Sequence, residues 1–173
     1  MKLRHLLLLS SLLVLAPLSF AQKAFRTELP EGTKAINFTL KSNDNNNIKL
    51  SELRGQVVFV NFWATWCGPC RQEMPALDAL HKRYGKSGVT ILGVNSGDSQ
   101  NEAQKYLNET PVNYPILFDN DKSVTKKYKV STLPQSVLVD CDGNARFEYA
   151  SYKPGKEKAF QKDIKKLLVE CSI

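Results

Sequence analysis

Val57-Val58-Phe59-Val60-Asn61-Phe62-Trp63-Ala64-Thr65-Trp66-Cys67-Gly68-Pro69-Cys70-Arg71-Gln72-Glu73-Met74-Pro75 is the stretch that decides how this chain folds. Val57 to Phe62 is a nearly continuous run of β-branched and aromatic residues, the pattern of a central strand buried on both faces. Beyond it, Glu73, Met74, Leu77, Leu80, His81 and Tyr84 recur at helical spacing, and the segment ends near Gly85 and Gly88. Thr90 to Asn95 is a second strand of the buried type. Strand, helix and strand in this order predict a right-handed βαβ unit.

Trp66-Cys67-Gly68-Pro69-Cys70 lies where the strand gives way to the helix. Unsatisfied backbone N–H groups and the helix dipole stabilise a thiolate at such a position, which makes Cys67 the candidate nucleophile. Cys67 would attack a substrate disulfide, and Cys70, one turn further on, would displace the reduced product. Gly68 permits the tight entry, and Pro69 suits an early helical position that needs no N–H. A zinc site would need a second ligand pair, but Cys141 and Cys171 form no Cys-x-x-Cys and His81 is the one histidine after residue 5. Haem attachment would need histidine after Cys70, where Arg71 stands. No metal and no cofactor other than a redox-active Cys67–Cys70 disulfide is expected; a purely structural bridge is the alternative.

Further upstream, Lys2, Arg4 and His5 precede an apolar run, Leu6 to Leu15, followed by Leu18-Ser19-Phe20-Ala21. That layout predicts a signal peptide, residues 1–21, cleaved after Ala21, with an uncleaved membrane anchor as the alternative. Loss of Lys2 and Arg4 would lower the formal charge from +7 to +5. Lysines are scattered, densest over 153–166, which argues against nucleic acid and leaves a surface with a bias toward acidic partners or lipid headgroups.

Residues 22–34 read as a flexible lead-in and 35–173 as one domain, expected to be monomeric. Ile36, Phe38 and Leu40, then Ile48 and Leu50, alternate with polar residues around the turn Asn43 to Asn47, predicting a β-hairpin. Glu102 to Glu109 and Ser123 to Tyr128 read as helices about a short strand, Pro115 to Asp119. Ser136 to Val139 and Arg146 to Tyr149 flank Cys141-Asp142-Gly143-Asn144, a hairpin signal, and Lys156 to Glu170 carries Phe160, Ile164, Leu167 and Leu168 as an amphipathic helix.

Val60 to Pro75 resembles the exported thioredoxin-like oxidoreductases of the TlpA, ResA and DsbE type, and the likeness extends from about Gly32 to the C-terminus. It implies an α/β thioredoxin-like fold: a central mixed sheet flanked by helices, with an N-terminal hairpin and a helical insertion around 100–115. Ala35-Ile36-Asn37-Phe38 departs from the usual Ala-Pro-x-Phe. Asn61 stands where thioredoxin has a buried acid, and Glu73 matches the acid of ResA-like relatives, implying a role in managing the proton of the cysteine pair. The alternative for Glu73 is an exposed or capping carboxylate early in a helix. Pro134 matches the cis-proline facing the active site, so Leu133 and Pro134 would lie beside Cys67 and pair with an extended substrate segment. Trp66 would shield the site and touch partners, Trp63 would pack, and Pro75 would kink the helix. In this fold the turn holding Cys141 and the end of the last helix, with Cys171, come together at the end away from the active site, which implies a structural disulfide.

The resemblance points to thiol-disulfide exchange with protein substrates outside the cytoplasm, in the periplasm. Gly-Pro between the cysteines leans toward reduction, which needs a membrane electron donor; substrates would include apocytochrome c thiols awaiting haem. Disulfide donation in oxidative folding and a non-catalytic binding or chaperone module are the alternatives. A peroxidase would need a peroxidatic cysteine in a different context.

Overall fold

The computed structural model describes residues 24–172, so the signal peptide expected at 1–21 lies outside the described residues. Eight strands form one mixed sheet: β1 (Arg26–Glu28), β2 (Thr39–Ser42), β3 (Asn47–Lys49), β4 (Val57–Trp63), β5 (Val89–Ser96), β6 (Ile116–Asp119), β7 (Gln135–Val139) and β8 (Ala145–Ala150). Among the described residues four α-helices accompany them: α1 (Gly68–Tyr84), α2 (Gln100–Glu109), α3 (Ser123–Lys127) and α4 (Glu157–Glu170). The strand order is β1-β8-β7-β4-β5-β6-β2-β3, with β4, β5 and β6 parallel and every other neighbouring pair antiparallel.

Alternation along β4 divides the core. Val57, Phe59 and Trp63 face one side, packed with Met74, Leu77 and Leu80 of α1 and Phe160, Ile164 and Leu167 of α4. Val58, Val60 and Phe62 face the other, with Leu92, Val94, Leu117 and Val124. Each fully buried Leu or Met contributes roughly 1.5–3 kcal/mol, so the apolar stripe of α1 outweighs the loss of one helical hydrogen bond at Pro75, which lies inside the helix. Asn61 holds the one β4 position on the α1 side that is neither aromatic nor aliphatic. Gly93 pairs with Asn61 in the sheet, and a Cβ there would come within 2.6 Å of Ile116 Cδ1 and 3.0 Å of Tyr114 Cε2.

The βαβ unit, the insertion helix and both hairpins expected from the sequence are present. Two expectations differ by more than a residue or two at an element's end. The first hairpin begins at Thr39 rather than Ile36, because Ile36 O accepts from Tyr128 Oη and Asn37 Oδ1 from Ser51 N, which takes this segment off the ladder. The flexible lead-in expected over 22–34 is corrected at Arg26–Glu28, which is an edge strand on β8. Phe25 packs 5.9 Å from both the Tyr149 and Phe160 rings, and Arg26 grips buried Asp163 of α4 through Nε at 2.6 Å and Nη2 at 2.9 Å. The bidentate pair and the aromatic contacts offset the entropy of ordering these residues. Among the described residues no helix is long and apolar enough to cross a membrane.

Candidate active site

The chain leaves β4 at Trp63 and enters α1 at Gly68, so the intervening loop sits at the C-terminal end of a central parallel strand. Cys67 is the N-cap of α1; its Sγ accepts the Cys70 N–H at 3.2 Å, and Pro69 occupies the first turn. No acidic residue lies in that turn, so the positive end of the helix dipole faces the sulfur unopposed. Cys67 and Cys70 are joined by a disulfide, with Cα atoms 5.2 Å apart. Both are buried.

The loop is anchored from the neighbouring strand. Asp98, just beyond β5, accepts the Thr65 N–H at 2.7 Å and Asn95 Nδ2 at 2.8 Å, both at Oδ2. A carboxylate bound to a backbone amide makes one of the stronger hydrogen bonds, and here it fixes the residue two before Cys67. Trp66 is 68% exposed, whereas Trp63 is fully buried and 5.7 Å from the Tyr106 ring. The Leu133–Pro134 bond is cis. Because Gln135 pairs with Phe62, Pro134 stands at the same end of the sheet as the cysteine loop. Leu133 packs against the core cluster that includes Cys67 and shares a cleft with Trp66.

Glu73 is neither exposed nor a cap. It is 1% exposed, and Asn61 Nδ2 donates to its Oε2 at 2.8 Å. Asn61 and Ser136 are cross-strand partners on the α1 face, and the same Nδ2 lies 3.0 Å from Ser136 Oγ. Burial pushes the Glu73 carboxyl up to about 8, against a smaller opposing effect of the Asn61 hydrogen bond. Burial also raises the Tyr114 phenol, with the Glu73 carboxylate as the next cause. A buried acid that holds its proton near neutrality, three residues along the helix from Cys70, is equipped to exchange that proton with a thiol.

The second cysteine pair closes the other end of the sheet. Antiparallel pairing of β7 with β4 carries the turn after Val139 to the start of β4, and there Cys141 is bridged to Cys171, the C-cap of α4. The Cα atoms are 6.0 Å apart and Cys141 N donates to Cys171 Sγ at 3.3 Å.

Residues 32–147 match the AhpC/TSA family. The chain belongs to the AhpC/TSA family. Within that thioredoxin-like family it is similar to the thiol-disulfide oxidoreductase ResA of Bacillus subtilis (strain 168), 38% identical over 120 residues, 69% of this chain and 67% of the relative. ResA of Geobacillus kaustophilus (strain HTA426) is 36% identical over 121 residues, covering 70% of each chain. Among solved structures, a putative thiol:disulfide interchange protein DsbE from Chlorobium tepidum superposes with a TM-score of 0.77 at 31% identity, over 81% of this chain and 99% of that one. This member of the AhpC/TSA family is a thiol-disulfide oxidoreductase with a thioredoxin-like fold. Asp98 and Ser136 went unnoticed in the sequence, because the site groups they hold, Thr65 and Asn61, lie 33 and 75 residues away; no local pattern marks them.

Proposed function

We propose that the chain is an exported protein-disulfide reductase in which Cys67 attacks and Cys70 resolves. The observation that carries this reading is the Cys67–Cys70 bridge at the N-terminus of α1, directly after a central strand and next to a buried acid that keeps its proton to about pH 8. In the reduced protein the Cys67 thiolate attacks one sulfur of a substrate disulfide, forming a mixed disulfide and releasing the other sulfur as a thiolate that takes up a proton. Cys70 gives its proton to the ionised form of Glu73, populated as pH approaches 8, and its thiolate attacks Cys67 Sγ, the neutral acid returning the proton to the departing sulfur. The Cys67–Cys70 disulfide forms and the second substrate sulfur leaves as a thiol. Two electrons pass to the substrate, and a membrane electron donor restores the dithiol.

Trp66, Leu133 and Pro134 receive the substrate segment, and Cys141–Cys171 serves only stability. The cationic start and apolar run of residues 1–21 support export to the periplasm. Gly-Pro between the cysteines favours reduction, and the likeness to ResA and DsbE proteins makes apocytochrome c thiols a candidate substrate.

The test is the redox equilibrium of the protein lacking residues 1–21 against glutathione and dithiothreitol, with Cys67→Ser beside it. A potential near the roughly −270 mV of thioredoxin, lost with Cys67, supports the reductase. A value near the roughly −120 mV of DsbA assigns the chain to disulfide donation, and a pair that does not exchange refutes the proposed roles of Cys67 and Cys70.

A further inference from the structure

A cleft of about 300 Å³ opens beside the cysteine loop. Trp66 and Leu133 supply its apolar wall, Ser96 and Thr125 its hydroxyls, and Lys122 and Lys126 its charge. Two ammonium groups and no carboxylate are among the residues that line it.

The charge is held in place by the fold. Lys122 has left-handed backbone with φ 58°, its N–H donates to Asp119 O at 3.0 Å, and its side chain lies over Gly97, where any Cβ would collide with Lys122 Cε. Gly97, with φ 82°, is bare for that reason as well as for its backbone. Thr125 is fixed by buried Asp119, whose carboxylate accepts from Thr125 N, Thr125 Oγ1 and Val124 N, and by a 3.0 Å hydrogen bond to Ser96 Oγ. The other acids on these elements are engaged elsewhere: Asp98 with Thr65 and Asn95, Asp121 with Ser123 N. Lys126 Nζ donates to the Asp121 carbonyl at 3.5 Å, and among the described residues neither lysine is paired with a carboxylate.

We infer that this cleft selects an Asp or Glu side chain close to the exchanging cysteine of the protein substrate, its methylenes against Trp66 and Leu133 and its carboxylate toward Lys122 and Lys126. The inference rests on exchange at Cys67. An extended segment advances about 3.3 Å per residue, so with its sulfur on Cys67 the side chains one or two positions away reach the cleft whose wall begins at the adjoining Trp66. Like charge at that position is repelled by the same pair of ammonium groups, which makes the cleft discriminating rather than merely adhesive.

The test uses two peptides that are identical, each with one internal disulfide, except for Glu or Lys at the two positions flanking the attacked cysteine. Reduction of each by the dithiol protein is followed at low ionic strength and again at 0.5 M NaCl. The Glu peptide is expected to be reduced about tenfold faster, with the ratio shrinking toward one in salt. In Lys122→Glu/Lys126→Glu the ratio is expected to invert; being taken within one preparation, it is insensitive to partial misfolding. Equal rates for the two peptides, or a preference that survives the double substitution, overturn the inference while leaving the exchange reading intact. Reduction of neither peptide by the wild-type protein overturns both.

Discussion

The two disulfides of this molecule are chemically identical and sit at opposite ends of the same sheet. Cys67–Cys70 closes a separation of three residues, and Cys141–Cys171 one of thirty. The first pair is the more buried of the two, so exposure does not distinguish a working bridge from a structural one. Surroundings do. Cys67 lies at the positive end of a seventeen-residue helix, with an exposed tryptophan on one side, a cis-proline at the same sheet end and a buried acid, Glu73, six residues along the same helix. Cys171 lies at the negative end of α4, whose last turn carries no basic residue; Glu170 there is paired with Arg146 at 2.8 Å. A thiolate is favoured at the first place and opposed at the second.

Replacing the nucleophile is the sharpest way to break this contrast. Cys67→Ser is expected to reduce peptide-disulfide exchange to the uncatalysed background, whereas Cys141→Ser/Cys171→Ser keeps it within about twofold. Loss of exchange in the second variant would erase the distinction between the two ends.

The next effect is one of pH. Unfolded Glu73 releases its proton near the ordinary 4.5, and folded Glu73 keeps it to about 8. Its contribution to stability is therefore complete below pH 4.5 and is lost as pH rises through 8, an effect on the order of 5 kcal/mol. Glu73→Gln should remove that slope from urea-unfolding midpoints of the oxidised protein. An unchanged slope would mean that Glu73 is ionised in its pocket.

Removing the distal bridge is expected to cost about 3.5 kcal/mol, the chain-entropy value for a loop of this size, read as a lower urea midpoint. The smallest effect is expected from Asp98→Asn, which weakens the anchor of Thr65 by about 1.5–3 kcal/mol. That variant sharpens the comparison if the exchange rate falls while the Cys141/Cys171 double variant, at similar or lower stability, keeps its own.

Much of this was legible in the sequence, and what was not has a common cause. Val57 to Phe62 declares a two-sided buried strand, and Cys67 declares a helix start, because both signals are local. Glu73 looked equally suited to a surface cap, since its burial depends on Asn61 and Ser136 in strands that only the folded sheet brings together. Arg26-Thr27-Glu28 has no apolar alternation at all, and it becomes a strand through Asp163, 137 residues away. Long-range partners of polar residues leave no periodic trace, whereas apolar faces do.

The two strands at the margins of the sheet, β1 and β3, are three residues long and carry Arg26, Glu28 and Lys49. Short, charged margins give a foreign strand little to pair with. On the proposed reading the protein meets polypeptide with open thiols, and a long bare margin would invite pairing with that polypeptide. On the same reading, with both margins blunted, contact with a substrate is confined to the rim of Trp66 and Pro134 and ends when the mixed disulfide resolves.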